Sequence, residues 1–172
     1  MSTASLAFVS ASSYIYQEGF GLSEQPYSFY FALNAAGLTA GPFLYLRLSR
    51  HARRRTIVAS GFVVMIGAGL LVCLFGGPGP LAFALVLFPA SLMGSAVRPG
   101  GAFLMLEQQK EDTGSASALI NCSGLVFGSA GMVLVFLAGE NLVLSLGAIN
   151  VAAGMVCLVG WMLIGRRGLV RF

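Results

Sequence analysis

The chain has 172 residues, 57% of them hydrophobic and only 9% charged, with a formal net charge of +4. A soluble globular domain carries roughly a quarter of its residues as charges, so this composition excludes that class and leaves no room for a separate soluble domain. The basic excess does not point to nucleic acid, because the bases sit at the ends of apolar stretches, where membrane topology accounts for them.

Six apolar stretches follow one another, and spans are expected at about 4–16, 27–46, 56–75, 81–106, 114–138 and 142–165. A helical span takes about 20 residues, so the expected fold is an all-α, six-transmembrane-helix bundle. The first stretch is short and lacks the basic region and small-residue cleavage site of a signal peptide. It reads as a helix without its first turns, as in a fragment whose partner lies upstream. Ser23-Glu24-Gln25-Pro26 supplies a cap and a first-turn proline for the second span. Gly76-Gly77-Pro78-Gly79-Pro80 is a tight turn before the fourth. Asp112-Thr113 and Asn141 are the expected N-caps of the fifth and sixth. Tyr14, Tyr16, Phe20, Tyr27, Phe29 and Tyr30 at one end, with Trp161 at the other, predict interfacial aromatic belts.

Charge orients the bundle. The gaps after the second and fourth stretches and the C-terminal tail hold Arg47, Arg50, Arg53, Arg54, Arg55, Lys110, Arg166, Arg167 and Arg171. The other gaps hold Glu18, Glu24 and Glu140 and no base. Basic residues in short loops stay cytoplasmic, which predicts a cytoplasmic C-terminus and a cytoplasmic basic loop at Arg47–Arg55.

The spans differ in their polar content. In the second, Tyr30, Asn34, Gly37 and Gly41 follow i, i+4, i+7, i+11 spacing and share one stripe; Ser117, Asn121, Gly124 and Gly128 repeat that arithmetic in the fifth. In the fourth, Ser91, Ser95, Arg98 and Ala102 share a face. Such stripes mark close helix packing or the lining of a cavity, since lipid offers polar groups no partner. The glycines suit packing; Asn34 and Asn121 suit either interhelical hydrogen bonds or ligand contact. The third and sixth spans carry few polar residues, such as Ser60 and Asn150, and are expected to face lipid.

Arg98 lies nine residues before Glu107, hence roughly 13 Å along a helix from its end. An arginine at that depth costs at least about 2.5 kcal/mol, so it is expected to face a cavity or a partner, or to snorkel. Pro99 follows and removes the hydrogen bond to the Ser95 carbonyl, which favours a bend. No Asp or Glu lies in mid-span, so the coupling site of a proton-driven pump is not expected in this chain. Asn121-Cys122-Ser123-Gly124 faintly echoes an intramembrane serine protease, but the sole histidine, His51, sits in a loop and gives the serine no base. An enzyme is not expected. Cys73, Cys122 and Cys157 lack paired spacing and read as small apolar residues, with no metal or cofactor implied.

Three segments carry a family resemblance: Tyr14-Ile15-Tyr16-Gln17-Glu18-Gly19-Phe20-Gly21-Leu22-Ser23-Glu24-Gln25, Phe31-Ala32-Leu33-Asn34-Ala35-Ala36-Gly37-Leu38 and Gly114-Ser115-Ala116-Ser117-Ala118-Leu119. With their spacing they resemble the second half of bacterial drug:proton antiporters of the bicyclomycin- and chloramphenicol-resistance type, within the major facilitator superfamily. Arg47 to Arg55 resembles the superfamily's degenerate basic loop, without its Asp and with Ala52 in place of a Gly. Arg98-Pro99 stands where the family has Pro-Asn.

The resemblance implies helices seven to twelve of a twelve-helix carrier in the bacterial inner membrane, with the third and sixth spans peripheral and the other four lining a cavity. Tyr14, Gln17, Tyr30, Asn34, Arg98, Ser117 and Asn121 are then the candidate wall residues for a drug-like small molecule, and Gly37, Gly41, Gly124 and Gly128 the packing residues. Alternating access needs a second six-helix bundle, supplied by an N-terminal half or by self-association. The alternative is a non-transporting membrane remnant or a partner-binding subunit.

Overall fold

The computed structural model describes residues 2–106, 112–137 and 141–166, and every described element is helical. Lys110, Glu140, Arg167 and Arg171, used above to orient the bundle, and Glu107, used to place Arg98, lie outside the described residues. Helix α1 spans Ser2–Ser13 and runs directly into a π-helical segment, Tyr14–Gly19. It is followed by α2 (Glu24–Leu48), α3 (Arg54–Phe75), α4 (Pro80–Leu106), α5 (Thr113–Leu137) and α6 (Leu142–Arg166).

The five helices from α2 to α6 are long and apolar enough to cross a membrane; α1, with 12 residues, is not among them. The first helix is thus too short to count as a full span, as the short first stretch predicted. At 1.5 Å per residue the α-helical part of α1 covers only about 18 Å, and the chain then widens into the π-turn. There the Phe20 N–H donates to the Ile15 carbonyl at 3.0 Å and the Leu22 N–H to the Tyr16 carbonyl at 3.1 Å. Gly21, at φ +66°, then turns the chain through the left-handed region that a side chain would oppose.

The caps follow from local chemistry. Asp112 Oδ1 accepts the Ser115 N–H at 3.0 Å, and Asn141 Oδ1 accepts the Leu144 N–H at 3.2 Å, so α5 and α6 begin at the expected residues. The bonds from the Ser115 hydroxyl and then its backbone N–H hold the Asp112 carboxyl below its usual range. Ser23 precedes α2 but makes no side-chain cap. Helix α4 continues through both Pro89 and Pro99.

The most extensive seams are α2 with α4, α3 with α6, α1 with α5 and α3 with α4, followed by a smaller one of α1 with α6. Exchanging the first three helices with the last three maps α2–α4 onto α5–α1, maps α3–α4 onto α6–α1 and leaves α3–α6 on itself. Directions agree as well. Gly37, Gly41 and Tyr45 meet Phe88, Ser95 and Gly100 in ascending order, so α2 and α4 run parallel. Ser2, Leu6 and Tyr14 meet Gly124, Gly128 and Phe136 in the same sense in the α1–α5 seam. Helices α1 and α4 run oppositely, since Ser2 meets Arg98 while Tyr16 meets Phe83. The fold is therefore two inverted three-helix units.

The main core joins Phe8, Ile15, Tyr16, Val72, Phe83, Leu87, Val135 and Leu146 from five of the helices and the π-turn. Smaller clusters form toward the other end, around Tyr45, Ile57 and Ala96 and around Val58, Phe62 and Val97. Burial departs from the expected division of helices. Helices α3 and α4 are the most buried and α5 the least. The reason is a close α3–α6 approach: a methyl group at Gly69 would sit 2.9 Å from the Gly147 carbonyl and 2.8 Å from Val151. The outward face of α3 is nevertheless apolar, with Val63, Leu70, Leu74 and Phe75 exposed. Helix α5 exposes a similar surface through Leu119, Leu125, Val126 and Leu137.

Candidate functional site

The striped residues of α2 do not face open space. Asn34 is fully buried against α4, where its Oδ1 accepts the Ser91 hydroxyl at 3.3 Å and its Nδ2 donates to the Tyr30 carbonyl at 3.3 Å. One turn on, the Ser95 hydroxyl reaches the Gly37 carbonyl at 3.4 Å and the Leu92 carbonyl at 3.1 Å. A methyl group at Gly41 would overlap Ser95 Oγ and lie 2.5 Å from the Leu92 carbonyl, while Gly100 gives the Tyr45 ring its place. In this seam Asn34 acts as an interhelical hydrogen-bonding group, and Gly37 and Gly41 let two backbones meet.

In the α1–α5 seam Gly124 approaches Ser2, and Gly128 leaves room for Leu6. Ser117 and Asn121 lie on the same helix closer to its start, Ser117 half-buried and Asn121 exposed. Asn34 and Asn121 thus hold equivalent positions in the two inverted units but different environments. Arg98 is exposed and donates from Nη2 to the Ser2 hydroxyl at 3.3 Å, which places a guanidinium where α1, α4 and α5 adjoin.

The aromatic residues predicted as a belt divide: Phe20, Tyr27 and Tyr30 are half-buried and Tyr14 is exposed. Tyr16 is fully buried, stacked on Tyr30 at 5.5 Å and 4°, edge-on to Phe83 at 5.4 Å, and near Tyr27 and Phe20. Its hydroxyl has no hydrogen-bond partner among the described residues. Phe29 is exposed, as a belt residue would be, and Trp161 packs edge-on against Phe62. Gln17 is half-buried in the π-turn.

The basic turn is solvent-facing. Arg47, Arg50, Arg53, Arg54 and Arg55 are all exposed, and Arg54 lies 4.1 Å over the Phe103 ring, tying the start of α3 to the end of α4. Nothing among the described residues gathers three or more potential metal ligands.

Two cavities bear on the candidate residues. A cleft of about 700 Å³ opens at the end remote from the basic turn and includes Tyr14, Glu18, Phe20, Cys73, Leu74 and Asn141 in its lining. A void of about 20 Å³, large enough for one water, lies inside the bundle between Ser5, Ser91, Gly94 and Asn150. Of the seven candidate wall residues, Tyr14 alone lines the cleft and none lines the void. The structure therefore does not bring the seven together in one pocket.

The sixth span was expected to face lipid and to carry no polar stripe; Asn150 within it is 3% exposed, donating from Nδ2 to the Leu146 carbonyl at 2.9 Å. Gly147, Asn150 and Gly154 form the stripe that would have placed it inward, all three being buried.

Comparison with known proteins gives one distant relative. The chain is 27% identical over 154 residues to the uncharacterized MFS-type transporter YdgK of Bacillus subtilis (strain 168), covering 88% of this chain and 38% of that protein. It thus spans less than two-fifths of the relative's length. Neither a protein-family profile nor a solved structure matches. With five apolar helices and this similarity, the chain is a multi-pass membrane protein related to a transporter.

Proposed function

We propose that the chain is one half of a membrane carrier that moves small, drug-like molecules outward by alternating access, working against a second six-helix bundle. The similarity to an MFS-type transporter across 88% of the chain carries this reading. The inverted pair of three-helix units supports it, because that repeat is how each half of such carriers is built. In the assembled carrier Arg98, on the exposed face where α1, α4 and α5 adjoin, faces the cavity with Ser117 and Asn121 nearby on α5.

The test joins the chain to a six-helix first half and measures drug accumulation in cells. The assembled protein should lower accumulation. Arg98→Ala should restore accumulation by at least about tenfold relative to the parent carrier, equivalent to about 1.4 kcal/mol, while membrane insertion is unchanged. Undiminished efflux by that variant would reduce Arg98 to a structural residue. The reading of a non-transporting, partner-binding subunit draws on the dispersal of the candidate residues; efflux by the joined protein would dismiss it.

A further inference from the structure

The cleft at the end remote from Arg47–Arg55 shares only Tyr14 with the candidate wall residues, and its chemistry points to a ligand of its own. Its volume of about 700 Å³ falls in the range of small-molecule sites. Four separated stretches build it: the π-turn with Phe20, the end of α3, the Gly77-Pro78 turn and the first turn of α6.

The lining is charge-asymmetric. Among the described residues it contains one carboxylate, Glu18, and neither Lys nor Arg. Tyr14 is 46% exposed in the cleft, and its ring is braced edge-on by Phe136 at 5.3 Å and 80°, so one aromatic face is held in place. Phe20 supplies a second ring, and Ile15, Leu74, Leu142 and Leu144 supply aliphatic walls. Of the other polar groups, Asn141 Oδ1 accepts the Leu144 N–H, and the Cys73 thiol points to the Leu144 carbonyl at 3.9 Å. Glu18 is left as the anion of an aromatic and aliphatic surface.

We infer that this cleft binds a hydrophobic organic cation, with Glu18 as its counter-ion and Tyr14 and Phe20 as its ring contacts. A delocalised or quaternary cation suits the site because it loses little hydration, pairs with the carboxylate and lies against aromatic faces. An anion would meet Glu18 with no base among the described lining residues to offset it, and a neutral compound would gain nothing from the carboxylate. The inference does not depend on transport; a chain that carries nothing would bind the cation equally.

Equilibrium dialysis of tetraphenylphosphonium against the purified 172-residue chain in detergent tests it. One saturable site is expected, weakened at least about tenfold by Glu18→Gln and by Tyr14→Ala and unchanged by Glu24→Gln. Glu18→Ala provides a second variant at the same exposed position, and circular dichroism confirms each fold. The neutral triphenylphosphine oxide should fail to compete. Absence of saturable binding, full binding by both Glu18 variants, or equal binding of the neutral compound would overturn the assignment.

Discussion

The Ser91 hydroxyl donates to the Asn34 side-chain carbonyl at 3.3 Å, joining two helices whose residues are 57 positions apart. Both side chains are buried, Asn34 completely. A bond of this kind in a membrane bundle contributes about 0.6 kcal/mol on average and up to about 1.7, because the separated helices also find partners for their polar groups. A double-mutant cycle with Asn34→Ala and Ser91→Ala, read by unfolding in detergent, should therefore give a coupling of about 0.5–1.5 kcal/mol. A coupling indistinguishable from zero would mean that the two side chains do not meet in the folded protein.

Glycine positions in the seams should tolerate no side chain, unlike glycines on open surfaces. Gly41→Ala drives a methyl group into Ser95 and toward the Leu92 carbonyl, whereas Gly67 has nothing within 4 Å of that position. Overpacking of this sort costs about 1–3 kcal/mol, and in a helix Ala is otherwise preferred to Gly by roughly 0.8–1.0 kcal/mol. Thermal melts in detergent should show Gly41→Ala below the parent chain and Gly67→Ala at or above it. The reverse order would displace α2 from α4.

Tyr16 predicts a stabilising substitution. Its hydroxyl is enclosed by rings without a hydrogen-bond partner, and an unsatisfied buried polar group costs about 1–3 kcal/mol. Tyr16→Phe keeps the stacked ring and removes the orphaned group, so its melting temperature should rise. A clear fall would show that the hydroxyl is bonded in the folded chain.

Much of the helical layout was legible because membrane spans are long, apolar and separated by glycine, proline or charge. Asp112 and Asn141 announced their helices in the same way. The i, i+4, i+7 stripes identified the glycines of α2 and α5, but periodicity alone does not distinguish a seam from a cavity wall. For Asn34 the decision rests on Ser91, far away in sequence. The π-turn at Tyr14–Gly19 left no signal because it alters hydrogen-bond register without altering composition. The buried stripe of α6 was missed for a different reason. A single amide among Val, Leu and Ala looks incidental until Gly147 and Gly154 are seen to share its face. The cleft beside Glu18 was invisible to any linear reading, as four separate stretches meet there.

We propose a multi-pass bundle whose Arg47–Arg55 turn faces the cytoplasm and whose Gly77-Pro78 turn faces the opposite side. Membrane-impermeant thiol labelling tests it, on a chain in which Cys73, Cys122 and Cys157 are replaced by Ala and either Arg53→Cys or Gly77→Cys is introduced. In intact cells the reagent should modify Gly77→Cys alone, and Arg53→Cys should react only after the membrane is opened. Labelling of both positions from the same side would contradict the account.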